Sequence, residues 1–470
     1  MNYDVIVVGS GPGGYVAAIR AAQLKMKVAI VERESLGGVC LNWGCIPTKA
    51  LLKSAQVFEY IKHANDYGIS VAGYQADFKA VVERSRNIAG KMSKGVSFLM
   101  RSNKIDVLNG NGKLLSGAKV AVTDTKGKTS TYAAKHILIA TGARARQLPG
   151  IALDGKKVIA YREAMTLPTL PKKMLVMGSG AIGMEFAYFY KSMGTEVTVV
   201  EYLDHILPRE DEEVSKAMFK IFKKAGIKIM RAAAVQSVDT SGAGCQVKVR
   251  ENKSGKEHTI ECDVLLSAVG IVPNTEDIGL EALGVKMEKG HIQVNDYYET
   301  NVKGIYAIGD VLATQALAHV ASAEGIICME KIAHAEGKLD SNPSPIDYNN
   351  IPSCTYCWPE VASVGYTERA AKEAGYELRV GKFPFSASGK ASASGANSGF
   401  VKVIFDKKYG EFLGAHMVGA NVTEMIAEVI AARKLETTGH EIIKVVHPHP
   451  TMSEAIMEAT AAAYDEVIHL

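Results

Sequence analysis

Cys40 and Cys45 stand five positions apart in the run Cys40-Leu41-Asn42-Trp43-Gly44-Cys45. Two thiols so placed can cycle between dithiol and disulfide, with the thiolate as the reactive form. Five residues of regular helix rise about 7.5 Å, more than the usual Cα separation of a disulfide. A bridge here therefore needs a distorted turn, which Gly44 would ease, and such a bridge is more readily reduced than a structural staple. Pro47 is expected to open a helix running to about Ala64, which puts Cys45 near a helix N-terminus, where a thiolate is stabilised. Two buried free cysteines are the alternative. The motif that precedes the pair favours redox chemistry.

That motif is a glycine-rich turn, Gly9-Ser10-Gly11-Pro12-Gly13-Gly14, which follows the apolar run Asp4–Val8 and opens an Ala-rich helical stretch. The same pattern recurs at Gly178-Ser179-Gly180-Ala181-Ile182-Gly183 after Met174–Met177. In each copy a glutamate, Glu32 or Glu201, lies eighteen residues past the last glycine, at the end of a second strand. The first glycine permits the tight turn, the second lets a pyrophosphate approach the backbone, and the third lets helix pack on strand. The pyrophosphate then rests on a helix N-terminus, and the acid accepts from an adenosine ribose. A carboxylate at Glu201, with no Arg after it in Tyr202-Leu203-Asp204, repels a ribose 2′-phosphate, so the second site is expected to prefer NAD to NADP.

His447-Pro448-His449-Pro450-Thr451-Met452-Ser453-Glu454 carries the remaining candidates. Thr451 to Glu454 fits a capping box, which makes Glu454 a helix-start residue and His449 a loop histidine. The same residues also suit a general base, His449, oriented by a carboxylate, Glu454. The residues alone leave both open, and the roles can coexist.

Positioning these groups takes several elements. The 470 residues suggest about three domains. The composition, 47% hydrophobic and 22% charged, is that of a globular chain. Fifty-four basic against 50 acidic residues, with no basic stripe, argue against nucleic acid as a partner. No apolar run reaches the ~18 residues of a membrane span; the best, Met174 to Tyr190, is broken by three glycines, Ser179 and Glu185. A strand begins at Tyr3, leaving no room for a leader peptide, and the seven cysteines are too spread for a secreted disulfide framework. A cytoplasmic enzyme without a metal centre is expected. The strand–helix–strand grammar, duplicated, predicts an α/β chain with two Rossmann-like domains. From Tyr348 alternating strands and amphipathic helices predict an α+β C-terminal domain, after a linker at Asn342–Pro345.

GSGPGG, Leu36 to Lys49 and His447 to Glu454 together resemble the pyridine nucleotide–disulfide oxidoreductases over essentially the whole chain. The resemblance implies residues 1–149 as an FAD-binding domain, 150–272 as an NAD-binding domain, 273–346 as a central segment completing the FAD site, and 347–470 as a dimerisation domain. On the FAD side it adds Lys49, Gly112, Thr141, Gly142, Asp310, Leu317, Ala318 and His319 to Gly9, Gly11, Gly14 and Glu32. On the NAD side it adds Glu185, Val235 and Gly270 to Gly178, Gly180, Gly183 and Glu201, with Lys49 paired to Glu185. It implies a redox disulfide Cys40–Cys45, with Cys40 as exchange thiol, Cys45 facing the flavin, and His449–Glu454 as acid–base pair. The branch resembled oxidises dihydrolipoamide, which implies a homodimer working with the lipoyl domains and core acyltransferase of 2-oxo acid dehydrogenase complexes, or with a glycine-cleavage system. A glutathione-type NADPH-dependent reductase and a non-catalytic flavoprotein assembly subunit are the alternatives. Cys354-Thr355-Tyr356-Cys357 lacks a second pair and reads as packing cysteines in a strand; Cys245, Cys262 and Cys328 read as isolated and structural.

Overall fold

The computed structural model describes residues 2–470. By packing, the chain forms two compact units: Met1–Ala50 with Ala80–Arg146 and Gly270–Ile346, and Leu51–Lys79 with Gln147–Val269 and Asp347–Leu470.

The first unit is built around the strand Asn2–Val8, whose Val5, Ile6 and Val7 are fully buried. Val28–Glu32 and Thr129–Ile139 flank it in parallel, Asp106–Asn109 lies beyond the former, and Ile305–Ala307 pairs with the latter. Val8 is level with Val31 and Ile139, so Gly9, Glu32 and Ala140 leave the sheet at one edge. That carboxyl edge, beside the central strand, is where open α/β sheets bind ligands. The helix Pro12–Gln23 starts with Pro at its first turn and buries Ala17, Ala18 and Ala21. It crosses the helix Ala318–Ala335 at two glycines: a Cβ on Gly325 would lie 2.8 Å from the Gly13 carbonyl oxygen.

The second unit repeats the arrangement. Lys228–Met230, Glu196–Val200, Lys173–Met177, Val264–Ser267 and Val158–Ile159 form a parallel sheet in that order. Beside it, Ala233–Asp239, Cys245–Glu251 and Glu257–Cys262 form an antiparallel sheet. This sheet corrects one expectation: Cys245 and Cys262 are not isolated but directly opposite each other. Cys328 is fully buried in the first unit's core, as a structural cysteine should be. A five-stranded antiparallel sheet runs from Ser353–Thr355 to Leu378–Pro384, and the helices Val422–Lys434 and Glu454–Ala463 pack on it. Across four of its strands one row is polar: Ser363, His416, Lys402 and Lys382 stand side by side. Lys402, almost wholly buried, meets Asp211 (3.0 Å), Glu213 (3.1 Å) and Glu368 (2.7 Å). Asp211 also caps the helix Glu212–Lys224 through the Glu213 N–H, so the row seats that helix.

Two further differences have local causes. The long helix runs Cys45–Lys62, so Pro47 is its third residue, where a missing N–H costs nothing. Residues 51–79, read as part of the first domain, pack in the second unit. Lys62 Nζ donates to the Ser192 carbonyl at 2.6 Å, Tyr60 meets Trp358 edge-on at 6.4 Å, and Phe78 packs on Phe189 at 6.2 Å.

Candidate active site

Each glycine turn sorts its residues by what a methyl group would meet. A Cβ on Gly9 (φ +103°) would lie 2.2 Å from the Ala140 carbonyl oxygen, and one on Gly14 would lie 2.0 Å from that of Gly9. Gly178 (φ +99°) and Gly183 meet the Ala268 and Gly178 carbonyl oxygens at 2.5 and 2.1 Å in the same way. These four are glycine because the fold is tight there. Gly11 (φ −60°) and Gly180 (φ −68°) are different, since nothing lies within 4 Å of a Cβ on either. Neither conformation nor protein neighbours demand glycine at these two positions, which leaves the backbone open to a group from outside the chain. A pyrophosphate on the N–H groups of the following helix fits both turns.

The acids are held alike. Glu32 Oε2 accepts from the backbone N–H (3.1 Å) and hydroxyl (2.5 Å) of Ser10, and its Oε1 from the Glu34 N–H (2.7 Å). Glu201 Oε2 accepts from the N–H (2.8 Å) and hydroxyl (2.6 Å) of Ser179, and its Oε1 from the Leu203 N–H (2.9 Å). A carboxylate offers about four acceptor sites, so each retains one for a ribose hydroxyl. Sequence reasoning missed the two serines, although their signal is present: each fills the gap between the first two glycines.

Cys40 and Cys45 are joined as a disulfide, their Cα atoms 4.7 Å apart. The helix Gly38–Trp43 stops at Gly44 (φ −146°, ψ −115°), and the helix Cys45–Lys62 starts at once. The break brings the two cysteines closer than continuous helix allows and makes Cys45 a first-turn residue. Gly37 N–H donates to the Ser10 carbonyl (3.0 Å), and a Cβ on Gly38 would come within 2.6 Å of Gly11 Cα. The disulfide segment therefore lies directly on the first nucleotide turn. The helix Phe78–Ser102 supports it from behind. Ser85 donates to the Pro47 carbonyl (2.9 Å), Arg84 to that of Ala50 (2.7 Å), and Arg86 to that of Asn42 while its guanidinium sits 4.3 Å over the Trp43 ring. No pattern in the sequence marks these three, because their partners are some forty residues away.

Thr141, Gly142 and Asp310 follow strands that end at the same sheet edge of the first unit. Thr141 and Gly142 are tied to Asn274: the Thr141 hydroxyl donates to its carbonyl (2.7 Å), and the Asn274 N–H donates to Gly142 (2.8 Å). A Cβ on Gly112 would press on Val8 and Val31 at 3.0 and 3.2 Å, beneath the glycine turn. Asp310 lies in the 3-10 turn Gly309–Val311, and burial alone raises its carboxyl, with no offsetting donor among the described residues. Leu317 caps the helix Ala318–Ala335, so the N–H groups of Ala318 and His319 belong to its first turn. Lys49 occupies the first half of the Cys45–Lys62 helix.

In the second unit, Glu185 lies on the helix Ala181–Met193 and is 5% exposed, no surface charge; it accepts the Tyr356 N–H at 2.9 Å. Val235 sits at a bulge in Ala233–Asp239, whereas Gly270 (φ +109°) packs with the first unit, where its carbonyl accepts the Arg146 N–H. Cys357 is buried, donating to the Pro359 carbonyl, and Cys354 packs on the C-terminal core. His449, 78% exposed, places Nδ1 2.8 Å from Glu454 Oε1. Glu454 Oε2 accepts the Thr451 N–H (2.7 Å), but the helix starts at Glu454 with Ser453 as its N-cap, so the expected capping box does not form; the Thr451 hydroxyl is buried without a partner. Burial pushes the Glu454 carboxyl up, but the Thr451 and His449 hydrogen bonds outweigh it and hold it below its ordinary range. Among the described residues no cluster of three metal-ligating side chains occurs, and no helix is long and apolar enough to cross a membrane.

Known proteins share this arrangement. The family pattern described as pyridine nucleotide-disulphide oxidoreductase matches residues 3–325, and its dimerisation domain matches 351–460. Proteins named dihydrolipoyl dehydrogenase are 51% identical in Rhizobium etli (100% of this chain, 99% of that one) and 43% identical in Bacillus subtilis (100% and 99%). The crystal structure of LpdA from Mycobacterium tuberculosis superposes with a TM-score of 0.89 at 29% identity, covering 97% of this chain and 98% of that one. The flavoprotein disulfide reductase RclA from Escherichia coli gives 0.86 at 25%, covering 98% and 99%. The first match spans both glycine turns and the cysteine bridge, and relatives align along the whole chain: the chain belongs to the pyridine nucleotide-disulphide oxidoreductase family.

Proposed function

We propose that this chain oxidises dihydrolipoamide to lipoamide through Cys40–Cys45, with FAD on the first glycine turn and NAD on the second. The observation that carries the reading is the disulfide segment seated on the first nucleotide turn, Gly38 against Gly11. The substrate follows from the activity named for the full-length relatives.

A substrate thiol gives its proton to His449, whose Nδ1 side is held by Glu454. The thiolate attacks Cys40 Sγ; the Cys40–Cys45 bond breaks, and Cys45 leaves as thiolate. Cys45 suits the leaving role because it begins a helix, where free N–H groups stabilise an anion. The second substrate thiol then attacks the substrate sulfur of the mixed disulfide; the S–S bond to Cys40 breaks, the attacking thiol's proton passes to the departing Cys40 sulfur, and lipoamide is released with Cys40 as a thiol. FAD, when bound, would supply the two-electron chemistry that takes the electron pair from this dithiol state, and NAD would leave with it as hydride. Gly9, Gly11, Gly14, Glu32, Thr141, Gly142, Asp310 and the first turn at Ala318 would hold FAD. Gly178, Gly180, Gly183 and Glu201 would hold NAD.

The working unit on this reading is a cytoplasmic homodimer joined through residues 351–460, which match a dimerisation domain. Its partners are the lipoyl domains and core acyltransferase of 2-oxo acid dehydrogenase complexes.

A glutathione-type reductase using NADPH is disfavoured by Glu201, whose carboxylate faces the ribose position with three donors already fixed on it. The deciding experiment compares dihydrolipoamide-dependent reduction of NAD with NADPH-dependent reduction of glutathione disulfide. Turnover of the second pair alone would overturn the reading. Loss of both activities in a flavin-loaded protein would favour an assembly subunit.

A further inference from the structure

The antiparallel sheet of the second unit brings together two thiols that the mechanism does not use. Cys245 begins the strand Cys245–Glu251, Cys262 ends Glu257–Cys262, and the register sets them directly opposite. Opposed residues of antiparallel strands have Cα atoms about 4.5–5.5 Å apart, inside the ~4.4–6.8 Å window of a disulfide. Both side chains point inward, into the cluster with Val247, Val249 and Leu265. Gly244 keeps the strands close, since a Cβ there would lie 2.5 Å from the Cys262 carbonyl oxygen.

We propose that Cys245 and Cys262 form a second dithiol, which hydrogen peroxide oxidises to an intramolecular disulfide independent of Cys40–Cys45. The two thiols are unequal. The Cys262 side chain, hydrogen-bonded to Cys245, draws the Cys245 thiol below its ordinary value, while the same bond and burial push Cys262 far up. On this proposal Cys245 reacts first. Its sulfur attacks one peroxide oxygen, the O–O bond breaks, and the other oxygen leaves as water, giving Cys245 sulfenic acid. Cys262 sulfur then attacks Cys245 Sγ and expels that oxygen, which departs as water with the Cys262 proton. Two thiols lose two electrons, and one peroxide becomes two waters.

The test uses the holoenzyme as purified, treated with hydrogen peroxide, denatured in N-ethylmaleimide and digested with trypsin without reductant. Trypsin cuts between the two cysteines at Lys248, Arg250, Lys253 and Lys256, so a bridge joins two separate peptides. The expected result is that joined pair, two hydrogens lighter than the sum of its parts, in most chains and abolished by dithiothreitol. Recovery of both cysteines as alkylated thiols, or each oxidised separately to sulfinic or sulfonic acid, would overturn the proposal. Cys245→Ser should turn over normally and leave Cys262 alkylatable; a peroxide-dependent link from Cys262 to any other cysteine would also overturn it.

Discussion

His449 and Glu454 are joined at 2.8 Å through Nδ1 and Oε1, while the other Glu454 oxygen holds the Thr451 N–H at 2.7 Å. One carboxylate therefore starts a helix and fixes an imidazole. Glu454→Gln keeps the size and the bond to Thr451 but removes the charge. A hydrogen bond to a charged group is worth roughly 1.5–3 kcal/mol, so turnover should fall about ten- to a hundredfold. The native carboxyl sits below its ordinary value, so its stabilising effect is present above its unfolded pKa and lost only as pH falls through the folded one. A pH profile of the variant that overlays the native one, with kcat unchanged, would remove Glu454 from the chemistry.

The glycine turns allow a sharper separation of folding from binding. Gly9→Ala must place a methyl 2.2 Å from a carbonyl oxygen at φ +103°, so the chain should be poorly folded. Gly11→Ala puts its methyl into open space at an ordinary φ of −60° and should fold. It should nevertheless purify with little flavin, because the methyl occupies the place of the pyrophosphate. Gly180→Ala should keep its flavin and lose NAD affinity alone. The checks are thermal unfolding, flavin absorbance and the KM for NAD. A Gly11→Ala protein with full flavin would sink the cradle assignment.

These motifs were legible because their chemistry is local: three glycines, a strand before and an acid after fall within about thirty residues. The helical break at Gly44 was legible too, from the arithmetic of rise per residue. Ser10 and Ser179 could have been read, since the duplication repeats them, but a serine in a glycine turn has many uses. Arg84, Ser85 and Arg86 could not, because a helix face does not announce which remote carbonyls it will reach. Residues 51–79 lie within the first domain in sequence yet pack in the second unit, where Tyr60 and Phe78 find aromatic partners. Cys245 and Cys262 are seventeen positions apart, and only the hairpin register makes them neighbours.

Glu210, next to the helix cap Asp211, gives a pH dependence to stability. Burial, together with the charge of Asp211, pushes its carboxyl up to about 7 despite a hydrogen bond with Ser363, and its Oε2 is buried without a partner. An acid whose folded pKa exceeds its unfolded one holds an extra proton in the folded state between the two values. Stability therefore falls as pH rises from about 4.3 to 7, by a few kcal/mol at most. Glu210→Gln mimics the protonated form at every pH. Its thermal midpoint should match the native protein at pH 5 and exceed it at pH 8. An equal difference at both pH values would show that Glu210 does not titrate in this window.

The place where His449 acts can be decided by mixing chains. His449 belongs to one compact unit and Cys40 to the other, four hundred residues earlier, so assembly within one chain or across a dimer is open to test. A base must come within about 3 Å of the proton it takes, and its loss typically costs about 10²–10⁴ in rate. Cys40→Ser and His449→Gln should each be nearly inactive as homodimers. Co-expressed with different tags and purified through both, they give a mixed dimer. If His449 serves the partner's disulfide, one of the two sites pairs the intact bridge of the His449→Gln chain with the intact histidine of the Cys40→Ser chain. That site should work, and the mixed dimer should regain about half of native activity if the sites are independent. If His449 serves its own chain, every site lacks one group and nothing is regained. We expect recovery, and a verified mixed dimer no more active than its parents would place the histidine and the disulfide of each site in a single chain.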